Sequence, residues 1–188
     1  MGFLSYLGPR AHMPDVILRT RSRYKHMDAF TQHVLRGPSE LSPKEREIMA
    51  TFVSALNACQ YCTGVHREVS LLFGMDEGLV QALLDNIDTA PVADKLKPVL
   101  HYVKKVTLTP SKAVQADVDA ILKAGWSEQT VEDTVAVTAL FNYYNRLMDG
   151  LGIKGEMDLY QKGAGFLHKR GYVFPAIVAW YFRKFGFK

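Results

Sequence analysis

From Ser42 to Gly150 apolar residues recur at helical spacing almost without interruption, and strand signals are nearly absent. That pattern confines the chain to an all-α fold, because a sheet needs an alternation of period two that is missing here. The helices announce their ends. Ser42 can cap, Pro43 suits a first helical position, and Glu45 completes a Ser-x-x-Glu capping box. Ile48, Met49, Phe52, Val53, Ala55 and Leu56 follow on one face, and Asn57 is a good terminator. A second helix is expected from about Ala58 to Phe73, stopped at Gly74. Further helices are expected over about Asp76–Leu84, Val92–Thr107 (kinked at Pro98), Ser111–Ala124 and, capped by Ser127, to about Asp149. One more is expected near Asp15–His33.

A chain of 188 residues, 48% hydrophobic, can fill one core and is short for two. We therefore read a single all-helical domain, with residues 41–153 as its core and residues 1–40 and 154–188 as flanking helical segments at subunit contacts. The net charge of +4 is too small an excess to argue for nucleic acid. No apolar run approaches a membrane span. The first fifteen residues lack a basic start and an uninterrupted apolar stretch, and Tyr6 stands where a myristoylation motif wants Ser or Thr. The expected setting is cytoplasmic, with neither nucleic acid nor membrane as partner. There a Cys-x-x-Cys pair points to redox or metal chemistry more often than to a structural staple.

The two cysteines open the second helix as Cys59-Gln-Tyr-Cys62-Thr-Gly-Val-His66. At about 100° per residue, Cys59, Cys62 and His66 fall within roughly one-sixth of the helix circumference. His66 follows Cys62 at i+4, where side chains meet. Two thiols beside an imidazole form a thiol–disulfide site with its own proton carrier. The helix N-terminus is expected to favour the thiolate and lower its pKa. Glu47 lies about 18 Å from Cys59 if one straight helix joins them. If the chain reverses near Asn57–Ala58, an antiparallel hairpin sets position 47 opposite position 67, beside His66. Thr51 and Ser54 on the same face of that first helix would leave room for a water.

Plainer readings compete. The cysteines could be two buried hydrophobes. They could bind zinc with His66, although no second Cys or His pair completes four ligands. Glu47 alone would be a solvated charge. His12, His26, His33, His101 and His168 lack matching partners nearby in sequence, and Phe141–Arg146 reads as a packed helix face.

Glu47, eleven residues, then Cys59-x-Tyr61-Cys62-x-x-x-His66 resembles the active-site signature of the alkylhydroperoxidase D family, within the carboxymuconolactone decarboxylase-like superfamily. Residues 139–153 resemble its longer, peroxidase-related branch. The resemblance implies a helical bundle built around the hairpin, assembled as a trimer or hexamer, with no cofactor and no metal. It implies that Cys62 attacks a hydroperoxide, that Cys59 resolves the sulfenic acid to a disulfide, and that His66 and Glu47 relay protons through a bound water. Tyr61 joins the candidate site on the same pattern. The implied partners are a hydroperoxide and an external dithiol, such as a thioredoxin-like or lipoyl reductant. Decarboxylase members lack the cysteine pair, which disfavours that activity here. A redox sensor and a small zinc protein remain the alternative functions. The tail, with Trp180, Tyr181, Phe182, Phe185 and Phe187, is expected together with the Tyr-rich helix to cover a subunit interface.

Overall fold

The computed structural model describes residues 2–175, 177, 180 and 181. The elements run α1 (Met13–Ile17), α2 (Arg21–Arg36), α3 (Pro43–Leu56), α4 (Gln60–Leu72), α5 (Leu79–Asp85), α6 (Lys97–Leu108), α7 (Gln115–Lys123), α8 (Glu128–Gly150) and α9 (Met157–Arg170). Among the described residues every regular element is helical, in agreement with the all-α expectation. The N-terminal helix expected over Asp15–His33 is two, separated at Leu18–Thr20, where Thr20 leaves helical geometry. Pro98 is not interior. It sits in the first turn of α6, where its missing N–H costs nothing, so the helix needs no kink. Of the aromatic tail, Phe182, Phe185 and Phe187 lie outside the described residues, whereas Trp180 and Tyr181 are exposed.

The α3–α4 hairpin is the centre of the molecule. Its start is the expected capping box: the Ser42 backbone N–H donates to Glu45 Oε2 at 2.7 Å, and the Glu45 N–H donates to Ser42 Oγ at 3.2 Å. Ile48, Met49, Phe52 and Val53 are buried along α3. The chain then reverses at Asn57 and Ala58. Ala58 takes φ +54°, a left-handed conformation that a residue with a Cβ adopts only when its surroundings compel it. Two sets of hydrogen bonds do so. The Cys59 N–H reaches back to Ser54 O at 3.0 Å. The Asn57 side-chain amide donates to Asn145 Oδ1 at 2.8 Å and to Asn142 Oδ1 at 3.1 Å on α8. Helix α8 thus packs along the hairpin, burying Val137, Leu140, Phe141, Tyr144 and Met148, and also pins its turn.

Helix α9 closes the other side of α4. The contact depends on Gly64, whose missing side chain admits the Tyr160 ring; a Cβ there would stand 2.4 Å from Tyr160 Cε2. Gly171 ends α9 at φ +72°, ψ −153°, a region that is essentially glycine's alone. The chain is thereby turned so that Tyr172 enters the protein interior. Replacing Gly64 by Ala should therefore destabilise the protein by about 1–3 kcal/mol through overpacking, although Ala is the better helix former by about 1 kcal/mol. Chemical denaturation measures this. A variant as stable as the parent would contradict the α4–α9 contact described.

Candidate active site

The hairpin brings together two residues nineteen positions apart. Glu47 Oε2 and His66 Nδ1 are 2.9 Å apart. No water fits between them, so the expected water-filled relay is here a direct contact. Thr51 and Ser54 do not line a water site between the pair: Thr51 Oγ1 lies 3.1 Å from Ser70 Oγ, and Ser54 Oγ accepts from the Asn145 amide at 3.0 Å.

Glu47 is fully buried, at 0% exposure, and this is the dominant electrostatic fact of the molecule. Three groups compensate it. His66 contacts Oε2; the Tyr172 hydroxyl donates to Oε1 at 2.6 Å; Arg36 Nη2 lies 2.5 Å from Oε1 as an ion pair. Burial pushes the carboxyl pKa up, but the His66 hydrogen bond and charge, Arg36 and Tyr172 outweigh it, and the net shift is downward. Glu47 is therefore an anion at neutral pH. An ionised carboxylate only accepts hydrogen bonds, so His66 Nδ1 must carry the proton it donates. The imidazole is held further by Phe141, edge-on with ring centroids 4.5 Å apart, and by Tyr172, nearly parallel at 6.1 Å.

Cys59 is the N-cap residue of α4, and Cys62 lies in its first turn, so the pair spans the helix start as the spacing requires. Both are free thiols and both are buried, at 0% and 4% exposure. The expected depression of the thiol pKa is not met. The hydrogen bond with Cys59 and burial push the Cys62 thiol well above its ordinary value, and the Asn145 side-chain hydrogen bond only partly opposes them. The neighbouring thiol and the removal from water both disfavour the thiolate. An open polar recess lined by Asn57, Asn145, Arg146 and Asp149 adjoins this corner.

Tyr61 is buried, and its hydroxyl accepts from the Met13 N–H at 3.0 Å, tying the N-terminal segment to α4. Burial raises its pKa. Its hydroxyl is thus engaged with backbone rather than with the Glu47–His66 pair. Among the described residues no group of three His, Cys, Asp or Glu side chains gathers as a metal site would need. No helix there is long and apolar enough to cross a membrane.

Sequence reasoning missed Arg36, Tyr172 and Asn145. The first two lie in the flanks, where nothing in spacing links them to Glu47. Asn145 lies in the stretch read as a packed face, which it is, but its amide also reaches Cys62 and Ser54. The signal available for Arg36 and Tyr172 was the Glu47 charge itself: once buried, it demanded compensating groups from elsewhere in the chain.

Fold and site define a class: an all-helical thiol protein whose Cys-x-x-Cys motif is followed by a histidine bonded to a buried glutamate. Residues 23–104 match the carboxymuconolactone decarboxylase family. The structure is similar to an uncharacterized peroxidase-related protein from Silicibacter sp. TM1040 (25% identity, TM-score 0.69, 76% of this chain and 74% of that one). It is also similar to the alkylhydroperoxidase AhpD core of an uncharacterized peroxidase-related protein from Ralstonia eutropha JMP134 (20% identity, TM-score 0.71, 79% and 78% of the two chains). In sequence it is 24% identical over 114 residues to the uncharacterized protein YdfG of Bacillus subtilis (strain 168), covering 61% of this chain and 78% of that one. Over residues 23–104 the chain thus resembles the carboxymuconolactone decarboxylase family, and its fold is the one seen in the alkylhydroperoxidase AhpD core.

Replacing Glu47 by Gln leaves Arg36 without its carboxylate in a nearly buried site, and should cost about 3–5 kcal/mol at neutral pH. Because the folded carboxyl pKa lies below its ordinary 4.5, its contribution is present above that pH and is lost as pH falls through the lower folded value. The stability gap between parent and Glu47→Gln should therefore be constant near neutrality and narrow in acid. Urea melts across pH measure it; a small gap at neutral pH, or one independent of pH, would contradict the buried anion.

Proposed function

We propose that the protein is a cofactor-free, thiol-dependent peroxidase, acting through Cys62 and Cys59 with His66 and Glu47 as its proton relay. The observation that carries this reading is the Glu47–His66 contact, built one helical turn from Cys62 on the same helix. The buried Cys62 thiol is protonated at rest, so its proton must be taken as peroxide arrives. His66, with Nδ1–H committed to Glu47, offers its other ring nitrogen as the acceptor.

The thiolate sulfur attacks the nearer peroxide oxygen and the O–O bond breaks. Cys62 becomes a sulfenic acid, the sulfur giving two electrons, and the leaving alkoxide takes the proton from His66 to depart as an alcohol. Cys59 then attacks the sulfenic sulfur. Its thiol proton leaves with the hydroxyl as water, and a Cys59–Cys62 disulfide forms. An external dithiol, of thioredoxin-like or lipoyl type, restores both thiols and is itself oxidised. We read the working protein as a cytoplasmic homo-oligomer, a trimer or hexamer, with the flanking segments at its contacts.

Burial of both sulfurs favours one alternative: a redox sensor that is oxidised once and then signals through its disulfide. Peroxide consumption in the presence of excess dithiol separates the two. Sustained turnover is expected, while consumption that stops at one equivalent per chain would favour the sensor. Mass spectrometry after one equivalent of peroxide should find Cys59→Ser trapped as a sulfenic acid and Cys62→Ser unoxidised. Normal oxidation of Cys62→Ser would reverse the two roles.

A further inference from the structure

Two residues outside the motif converge on its carboxylate. Arg36 ends α2, and Tyr172 follows the glycine stop of α9, beyond the family-matched residues 23–104. Their arrangement is built rather than incidental. The Arg36 guanidinium lies over the Phe73 ring at 4.9 Å and the Tyr172 ring at 5.1 Å, so two aromatic faces fix its plane. The Tyr172 N–H donates to Gln32 Oε1 at 2.7 Å, one turn back along α2 from Arg36. Both groups meet the same carboxylate oxygen, Oε1, and leave Oε2 to His66. The Tyr172 hydroxyl is 3.5 Å from His66 Nδ1, too long to compete with Glu47 for that proton.

We propose that Arg36 and Tyr172 are positioning residues of the relay: they lock Glu47 as a carboxylate of fixed orientation, and thereby hold His66 in the single tautomer whose free nitrogen serves the thiol. A carboxylate with two free oxygens can rotate, or share a proton with the imidazole. With Oε1 claimed by a cation and a phenol, only Oε2 accepts, and the Nδ1–H tautomer follows. The Arg36 charge makes a second contribution. A buried Glu–His couple is neutral overall when the histidine is protonated and anionic when it is not. A cation beside it favours the carboxylate form of Glu47 itself. Tyr172 adds a donor that also closes the site, since its ring lies nearly parallel to the imidazole.

This inference rests on the relay reading above, and its test separates the two. The nitrogen signals of the His66 ring, observed by NMR in the reduced protein, report the tautomer without any turnover. The parent should show Nδ1–H with Nε2 unprotonated. Tyr172→Phe, which removes a single oxygen, should give a mixture of tautomers. Arg36→Met should do the same more strongly, and Arg36→Lys, which keeps the charge, should recover most of the parent spectrum. In single-turnover oxidation by peroxide, Tyr172→Phe should slow Cys62 by about tenfold, the lower part of the range for acid–base help. Unchanged ring signals in Tyr172→Phe and Arg36→Met would overturn the proposal, whatever the melting temperatures do. Altered ring signals in a protein whose parent form does not consume peroxide would uphold the positioning and refute the peroxidase reading instead.

Discussion

A carboxylate removed completely from water is the constraint around which this molecule is arranged. Left alone, such a charge is so costly that it would protonate or unfold its surroundings. Glu47 does neither, because three elements each deliver a compensating group: α4 brings His66, the end of α2 brings the Arg36 charge, and the turn after α9 brings the Tyr172 hydroxyl. The same requirement makes sense of features that look unrelated. Gly64 lets α9 lie close to α4, and Gly171 turns the chain inward after α9. Ala58 accepts a left-handed conformation so that α4 runs back along α3 in the register that pairs 47 with 66.

The thiols experience the opposite electrostatics. The neighbouring Cys59 thiol and burial both hold the proton on Cys62, and the Asn145 amide offsets them only in part. A protonated nucleophile beside a fixed anion–imidazole pair is a coherent design. In the proposed mechanism the sulfur would stay unreactive toward adventitious oxidants, with His66 as the acceptor of its proton when substrate is present. Sequence position alone argued for a thiolate at rest. That argument counted the helix terminus and the imidazole but could not count the water that packing excludes.

How far the sequence reaches is clear residue by residue. The Ser42-Pro43-x-Glu45 cap, the Asn57 stop and the i, i+3, i+7 placement of Cys59, Cys62 and His66 are local signals, and the hairpin follows from them. Glu47 was placed beside His66 by a fold-back about residue 57, which is arithmetic on the chain. Arg36 and Tyr172 obey no such arithmetic. They are 11 and 125 residues from Glu47 and arrive through α2 and α9, whose packing depends on side-chain shape. The break in the N-terminal helix at Thr20 and the first-turn position of Pro98 were likewise invisible to periodicity, which continues through both.

The account stands on Glu47 acting through His66 on the Cys62 proton. The most direct measurement is the rate at which one equivalent of peroxide oxidises Cys62, compared between the parent and Glu47→Gln across pH under conditions where both are folded. The account predicts a rate about 10²–10⁴-fold lower in the variant, the usual range for lost acid–base help, together with a changed pH profile. An unchanged rate and profile would mean that the buried pair holds the fold together and takes no part in the chemistry of the thiols.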